Sequence, residues 1–468
     1  MGPNPDWCPM RWPDGDFWRK PASLDLVKNT PVNCLIIPWG SSPERNGEWT
    51  PLIGAGREAG LSFVGWLEPD ADPGQTMALA AASGLSALAM ANPPDSQRLP
   101  LIPVAERSKM PWRAHSPIVA TAEGVWPSVK ASRSGDDSTD AGPTGLPWID
   151  SNAWFARLAR VLAPEKNVWF VIEPPKPATV GNANPYLVAI ADAQMCGARW
   201  VVSLDARLSD GLASGNAPSQ AAWRRIANGL GFFARHKEWR AYLPSGVLAV
   251  VSDFEGDNEF LAGEALNLLG RRHLPYRILP KADSHPLEGF RAVLYPDRQP
   301  PDAGLRDRIL GFVRAGGLLI GPPALRALAA GGKPADSASP RFLVSILGKG
   351  RIAVAKEEAS DPWVLAADTH LLLSRRNDPF RIWNSGAIGT DYRYSRDNRR
   401  AVLQIVNYSG GPASFLSIRF ERSYSRGRLW TLEGNSPREA PMVAGQNWTE
   451  FHLPAFFVYA ALELEASA

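Results

Sequence analysis

The amino-acid sequence predicts an α/β fold in three parts: a TIM (β/α)8 barrel (1–245), a smaller open-sheet α/β domain (246–340) and an antiparallel β-sandwich (341–468). Two observations support this prediction. In the first two parts, continuous apolar runs alternate with helical patterns, which is typical of parallel sheets covered on both faces. In the third part, short strand-like runs separated by turn residues are typical of a sandwich.

Seven apolar runs predict barrel strands, and an eighth strand is expected around residues 10–18. The seven runs are CLIIPWG (34–40), LSFVGWLEP (61–69), LSALAMAN (85–92), LPLIPVAER (99–107), IVATAEGVW (118–126), VWFVIEPP (168–175) and WVVSLD (200–205). Helical patterns lie between them at 50–59, 74–83, 150–163, 185–197 and 219–237. Seven strands interleaved with helices, together with the possible eighth strand, fit a (β/α)8 barrel, in which the carboxyl ends of the strands form the active face.

The pattern restarts at residue 246 with a strand, a loop, a helix and a strand up to residue 280. A strand at 290–297, a helix at 303–315 and a strand in GGLLIGPP (316–323) complete an open α/β sheet. The stretch 324–340 is small and polar enough for a linker. The strands predicted for the sandwich are RIAVAKEE (351–358), RAVLQIVNYSG (400–410), ASFLSIRFER (413–422), RLWTLEG (428–434) and FHLPAFFVYAALELE (451–465).

The composition excludes several classes of protein. The chain has 50 basic and 47 acidic residues, and its net charge of +3 provides no electrostatic basis for nucleic-acid binding. No run of 18 apolar residues is present, so no membrane span is predicted. Cys8, Cys34 and Cys196 match neither zinc spacing nor a disulfide framework, and the six histidines form no pair at metal spacing. We therefore expect no metal and no other cofactor.

The start of the chain, MGPNPDWCPMRW, lacks the basic and apolar regions of a signal peptide. Removal of an export signal would give the same start, so a periplasmic or secreted location stays an alternative and the compartment is left open. The chain also contains 43 prolines and 18 tryptophans. Tryptophan side chains provide the flat surfaces on which sugar rings stack, and large core aromatics are the alternative explanation.

Three of the apolar runs end in an acid, at Glu123, Glu173 and Asp205. Because the carboxyl ends of barrel strands meet at one mouth, we expect these side chains to converge there. Cleavage of a glycosidic bond needs one protonated and one ionised carboxyl group, with pKa values pushed apart by their surroundings. The sequence therefore predicts a glycoside hydrolase in which Glu173 acts together with Glu123 or Asp205. Ion pairs and helix caps are the alternative roles for each acid.

A second set of residues is predicted to bind the substrate. A sugar ring needs an aromatic platform beneath it and polar groups at its hydroxyls. For Asp150, or for the adjacent serine, capping of the following helix is the alternative, and for each tryptophan it is core packing. The predicted substrate-binding residues are Trp39, Trp66, Glu106, Arg107, Trp126, Trp148, Asp150, Asn152 and Trp154.

The order of the three parts resembles family 42 β-galactosidases and related glycoside hydrolases. The stretches that carry the resemblance are VLAVVSDFEG (247–256), GFVRAGGLLIGPP (311–323), GKGRIAV (348–354) and VLQIVNYSG (402–410). It implies a carbohydrate substrate, a flavodoxin-like middle domain similar to a glutamine amidotransferase without its active site, and a homo-oligomer formed through that domain. Residues 246–330 contain no cysteine, which excludes glutaminase chemistry.

The sequence also departs from that family. Its members place Asn directly before the acid on the fourth strand, whereas Ala122 precedes Glu123 here, and the sequence assigns no glutamate to the seventh strand. Two further hypotheses therefore stay open beside the hydrolase. One is a non-catalytic glycan-binding protein on a degenerate hydrolase scaffold. The other is a transglycosylase, which uses the same site with a sugar acceptor in place of water.

Overall fold

The computed structural model describes residues 3–467 except 69–70, 95–98, 131, 134–138, 141–147, 176–181, 336–338, 360 and 435. The chain divides into two compact units, Met1–Arg240 and Ala241–Ala468. The first unit contains a ring of parallel strands. The second contains one mainly parallel sheet and two antiparallel sheets.

The ring of the first unit follows the order of the chain. Its strands are β1 (Pro9–Arg11), β2 (Cys34–Trp39), β3 (Ser62–Leu67), β4 (Ala87–Ala91), β5 (Leu101–Val104), β6 (Ile118–Thr121), β7 (Asn167–Phe170) and β8, which consists of Arg199–Trp200 and Val202–Ser203. The first segment of β8 pairs with β7 and the second with β1, so the sheet returns to its first strand. The predicted barrel is confirmed, and the eighth strand expected around residues 10–18 is β1.

α-Helices follow β2, β3, β6, β7 and β8 of the ring. They are α1 (Pro43–Gly47), α2 (Thr50–Glu58), α3 (Pro73–Ala82), α4 (Ala153–Leu162), α5 (Ala183–Met195), α6 (Ala206–Ala213) and α7 (Ala217–Arg235). Short polar side chains cap several of them; Asp72, for example, accepts a hydrogen bond from the Gln75 N–H at 2.7 Å. A short antiparallel pair, Ser128–Lys130 with Trp148–Asp150, precedes α4.

Apolar side chains from around the ring fill the interior of the barrel. They are Trp7, Cys34, Ile36, Val64, Ala87, Ala89, Ile102, Ile118, Ala120, Trp169, Val171 and Val201. The indoles of Trp7 and Trp169 lie 6.3 Å apart and balance the small alanines of β4 and β6. Because successive residues of a strand point to opposite faces, this set identifies the positions of each strand that face the barrel axis.

The parallel sheet of the second unit has the strand order of flavodoxin-like folds, with the first strand between the second and the third. Its strands are β9 (Leu248–Ser252), β10 (Tyr276–Pro280), β11 (Ala292–Leu294), β12 (Leu318–Gly321), β13 (Phe342–Leu347) and β14 (Gly350–Ala355), in the order β10–β9–β11–β12–β14–β13. Its helices are α8 (Glu259–Arg271), α9 (Ala303–Ala315), α10 (Arg326–Ala329) and α11 (Pro362–Leu373).

The run RIAVAKEE (351–358) belongs to this open sheet, whereas the sequence analysis assigned it to the sandwich. Its strand β14 pairs in parallel with β12 and in antiparallel with β13. Ile352, Ala353 and Val354 are fully buried. A continuous apolar run predicts a strand but does not indicate which sheet the strand joins. The predicted linker contains α10 and a strand, Lys333–Pro334, that pairs with β13.

Two antiparallel sheets follow. The first consists of Leu243–Pro244, Ile388–Tyr394, Arg400–Asn407, Tyr459–Ala466, Tyr424–Thr431 and Arg438–Glu439; the second consists of Phe380–Trp383, Leu416–Phe420, Thr449–Leu453 and Met442–Ala444. Leu403, Ile418, Phe451 and Leu462 are fully buried in the shared core, as expected for a sandwich. Within the described residues, no helix has the length and apolar content needed to cross a membrane.

Candidate active site

Four charged residues lie at the positions that face the barrel axis at the mouth. Counting in steps of two from the interior residues of β1, β3, β5 and β7 leads to the carboxyl end of each strand. The positions reached in this way are Arg11, Glu68, Glu106 and Glu173. In a (β/α)8 barrel, alternate strands contribute the side chains of one layer, so we expect these four positions to belong to one layer, which we call the mouth ring.

Arg11 and Glu173 form an ion pair across the mouth ring. The Arg11 guanidinium also lies over the indole of Trp66, with its carbon 5.8 Å from the ring centroid. These contacts bring together β1, β3 and β7. The Glu173 side chain remains 57% exposed, so a ligand entering the mouth can reach its carboxylate. Glu173 therefore follows the seventh strand, to which the sequence analysis assigned no glutamate.

Glu68 is the second acid of the mouth ring. It forms an ion pair with Arg45 at 2.8 Å. A Cβ atom on Gly40 would lie 2.5 Å from its Oε2 atom, so the carboxyl group rests against the backbone of the β2 loop. Asn46 holds this loop by accepting from the Gly40 N–H at 3.2 Å and donating to the Gly40 carbonyl at 2.7 Å. The glycine therefore provides the space that Glu68 occupies.

Glu106, the third acid, is exposed and contacts Lys109 through a hydrogen bond of 2.6 Å. It precedes a short 3-10 turn and does not cap it. The Glu106 side chain is 63% exposed, so the ion pair leaves its carboxyl group in contact with solvent. It was predicted as a substrate-binding residue, and its position in the mouth ring is consistent with contact to a ligand.

Glu123 lies on the other face of its strand. Ile118 and Ala120 face the axis, so the alternation places Ala122 inward and Glu123 away from it. Its Oε2 atom accepts a hydrogen bond from the Arg107 N–H at 2.6 Å. Glu123 therefore holds the loop after β5, and it follows the sixth strand. The sequence analysis compared it with an acid of the fourth strand and expected it to meet Glu173.

Arg107 connects the loops after β5 and β6. Its Nε–H donates to the Glu123 carbonyl at 3.2 Å, and its Nη2 donates to Asn152 Oδ1. Its guanidinium carbon lies 5.6 Å from the Trp154 ring centroid and 5.1 Å from that of Phe155. A planar guanidinium stacked on aromatic rings and held by hydrogen bonds is well immobilised. Arg107 and Trp154 therefore act together as a support for the wall of the mouth.

Asn152 is fully buried beneath this arginine. Its side chain accepts from the Val125 N–H at 3.1 Å and donates to the Val125 carbonyl at 2.8 Å. Its own N–H donates to the buried carboxylate of Asp192 at 2.9 Å. Gly124 has a φ of +154° and lies directly against the pair of Arg107 and Asn152. Asn152, predicted to bind substrate, is placed by these contacts as a support of the loop.

Asp205 caps α6. Its Oδ1 atom accepts from the Leu208 N–H at 3.0 Å, and its Oδ2 atom accepts from the Tyr186 hydroxyl at 2.9 Å. The Asp205 N–H in turn donates to the same hydroxyl at 2.8 Å. Burial raises the pKa of Tyr186 well above its usual value, so the hydroxyl stays protonated. Asp205 itself is buried, and these contacts are those of the helix cap considered as its alternative role.

The predicted tryptophans lie in different environments. Trp39 is fully buried, and Trp126 packs edge-on against Trp200 at 5.1 Å, outside the barrel interior. Trp148 is half-buried in the short strand pair before α4, and Asp150 of the same strand faces Ser128 in the register. Trp66 is partly buried against the barrel interior, and its indole lies beneath the Arg11 guanidinium at the mouth.

Two members of the mouth ring were not predicted as site residues from the sequence: Arg11 and Glu68. Arg11 ends the least certain strand of the sequence analysis, and its partner Glu173 is 162 residues away. Glu68 is detectable as an acid at the end of LSFVGWLEP (61–69). Among the residues that the structure describes, no three His, Cys, Asp or Glu side chains come together as metal ligands.

Comparisons with known proteins were made for both sequence and structure. No family model matches this sequence, and no curated protein matches it either. The solved structure of α-L-fucosidase isoenzyme 2 from Paenibacillus thiaminolyticus is similar, with a TM-score of 0.61, 9% sequence identity and coverage of 99% of both chains. At this identity the likeness shows the fold alone, along the full length of both chains.

Two further solved structures are similar at lower scores. A β-galactosidase from Bacillus circulans sp. alkalophilus matches 90% of this chain and 68% of its own, with a TM-score of 0.47 and 11% identity. An exo-β-1,4-mannosidase from Opitutaceae bacterium strain TAV5 matches 76% of this chain and 90% of its own, with a TM-score of 0.47 and 12% identity.

Proposed function

We propose that the protein hydrolyses a glycosidic bond at the mouth of the barrel, with Glu173 as the ionised carboxylate. The observation that supports this proposal is the position of Glu173, which faces the barrel axis, is accessible and contacts Arg11 beside Trp66. The guanidinium stabilises the negative charge of the carboxylate. The exposed part of the indole offers a sugar ring its apolar face.

The second carboxyl group of the proposal is Glu106. Two strand spacings, or about 10 Å of sheet, separate β5 from β7, a distance that two glutamate side chains can span toward one bond. Glu106 then donates a proton to the leaving oxygen, while Glu173 attacks the anomeric carbon or activates a water molecule. The sequence analysis gave the role of second carboxyl group to Glu123 or Asp205. We assign it to Glu106 instead, because the carboxylates of Glu123 and Asp205 accept hydrogen bonds from backbone N–H groups.

The test measures hydrolysis of aryl α-L-fucosides, β-D-galactosides and β-D-mannosides, the sugars in the names of the similar structures. We expect Glu173→Gln and Glu106→Gln each to lower kcat/KM by a factor on the order of 10³. Glu165→Gln is the matched control, because Glu165 is exposed before β7, at the opposite end of that strand. Thermal unfolding checks that each variant folds.

Unchanged hydrolysis in Glu173→Gln would remove this residue from the mechanism. The anomer released first, followed by proton NMR, distinguishes attack by Glu173 from attack by water, since the first retains and the second inverts configuration. Transfer of the sugar to an added alcohol in preference to water would identify the transglycosylase alternative.

A second candidate function is glycan binding without turnover. One observation favours it: both proposed acids already have a cationic partner, Arg11 for Glu173 and Lys109 for Glu106. Titration calorimetry with the same sugars separates the two functions. Binding that is lost in Trp66→Ala but kept in Glu173→Gln, with no hydrolysis by the wild-type protein, would support the binding protein.

A further inference from the structure

A group of arginines lies at the end of the barrel opposite the mouth. Arg199 begins β8, and Arg160 lies in the last turn of α4, the helix that leads into β7. Arg240 follows α7, in a short 3-10 helix over Lys237–Ala241. In a (β/α)8 barrel, the ends of the helices and the beginnings of the strands meet on the same face. We call these three residues the arginine cluster.

One hydrogen bond joins Arg160 to Arg240, and a second joins Arg240 to a neutral side chain. The Nη2 of Arg160 donates to the backbone carbonyl of Arg240. The Nη2 of Arg240 donates to the side-chain oxygen of Gln194, at the end of α5. A Cβ atom on Gly197 would lie 2.9 Å from Arg160 Nη1, so the guanidinium rests on a bare stretch of backbone. The neutral partner of Arg240 orients its guanidinium without cancelling its charge.

Arg199 is the buried member of the cluster, with 8% of its surface exposed. Its Nε atom is fully buried and has no hydrogen-bond partner. Across the described residues, no carboxylate lies within ion-pair distance of Arg199 or Arg240. Burial of a cation without a hydrogen-bonding, negatively charged partner is unfavourable. An arginine also does not relieve this cost by losing its proton.

Two other titratable groups face the cluster. Asp6 is an exposed carboxylate near Arg199 and Arg240, and it lies beyond ion-pair distance from both. Burial raises the pKa of the Cys8 thiol to about 11 although both arginines lower it, so the thiol is neutral at pH 7. Burial and the charges of Arg199 and Arg160 lower the pKa of Arg240 to about 9, which leaves it charged at pH 7. Among the described residues, Asp6 is thus the carboxylate whose charge acts on Arg199 and Arg240.

We propose that the arginine cluster binds an oxyanion, of the chemistry shared by phosphate, sulfate and phosphate monoesters. The guanidinium fork matches the geometry of such an anion, and the charges of Arg199 and Arg160 act on Arg240 at this end of the barrel. The site is separate from the mouth ring, since it lies at the opposite ends of the strands. It does not depend on the proposed hydrolase activity.

The test follows thermal unfolding of the full chain in sodium phosphate, sodium sulfate, sodium acetate and sodium chloride at equal ionic strength and pH 7. We expect a saturable rise of Tm of about 2 °C or more in phosphate and sulfate over chloride. Titration calorimetry with inorganic phosphate and with phenyl phosphate then distinguishes a free anion from a monoester. A rise in acetate equal to that in phosphate would overturn the assignment to a phosphate-type anion.

Variants locate the effect. Arg199→Met removes the buried guanidinium and keeps the aliphatic volume, so phosphate should bind it at least about 10-fold more weakly. Arg224→Met is the matched control, because Arg224 is exposed on α7, and it should keep wild-type affinity. Equal affinity in Arg199→Met and the wild-type protein would overturn the proposal. Should Arg199→Met fail to fold, absence of any saturable phosphate effect on wild-type Tm would overturn it instead.

Discussion

Replacement of Gly124 by alanine should destabilise the first unit by about 3 kcal/mol. The φ of +154° at this position is accessible to glycine and costs a residue with a Cβ atom about 1–3 kcal/mol. The added Cβ would also lie 2.5 Å from Arg107 Nη2, 2.6 Å from Ile172 Cδ1 and 2.8 Å from Asn152 Oδ1. Overpacking of this kind adds about 1–3 kcal/mol, since Asn152 is fully buried and cannot move freely.

The assay is urea unfolding followed by tryptophan fluorescence, because 14 of the 18 tryptophans precede residue 241 and report on the first unit. Gly215→Ala is the matched control. Gly215 has a φ of +72° with no atom within 4 Å of its added Cβ, so it measures backbone strain alone, at about 1 kcal/mol. If Gly124→Ala is no less stable than Gly215→Ala, the argument that Arg107 and Asn152 are packed tightly against Gly124 is wrong.

Two further predictions concern stability. Asp205→Ala should cost about 2–4 kcal/mol, because it removes a helix cap and leaves the Tyr186 hydroxyl without its acceptor, whereas the exposed Asp210→Ala should change urea unfolding little. Burial, with a contribution from the charge of His370, lowers the pKa of His273 to about 4, below its unfolded value of about 6.5. The folded state therefore disfavours the protonated form, so stability is complete above pH 6.5 and falls by about 3 kcal/mol as the pH drops to 4. Urea unfolding between pH 7 and 4.5 checks this, and a His273→Gln variant with the same pH dependence would contradict it.

The barrel could be predicted from sequence because its strands are buried on both faces. Their continuous apolar runs, such as CLIIPWG (34–40), differ clearly from the amphipathic helices between them. The short β1 was the weakest prediction, since three strand residues carry little pattern by themselves. Its place in the ring depends on pairing with β2 and with β8.

The assignment of strands to sheets was less predictable after residue 340. The apolar run of β14 would suit either an edge of the open sheet or the sandwich. Pairing with β12, whose residues precede it by about 30 positions, decides the matter. Sequence pattern reports which residues are buried, whereas the partner strand depends on hydrogen bonds between segments distant in the chain.

The candidate site, like the sheets, could be predicted only in part from the sequence. Glu173 could be selected from sequence as an acid at the end of a buried run. The role of Glu123 could not, because a shift of one residue along a strand moves a side chain to the other face. Nothing local to Arg11 indicates that it contacts Glu173, 162 residues away.

The sequence by itself determined the strand and helix pattern, the parallel barrel strands of the first unit and the acids at the ends of those strands. These features could be predicted because neighbouring residues carry the hydrophobic pattern that indicates burial and periodicity. Only the tertiary structure decided which acids face a common axis, since this depends on strand register and on alternation counted from the interior. It also decided that Arg199 lies buried, with no carboxylate within ion-pair distance among the described residues, beside arginines from two other segments of the chain.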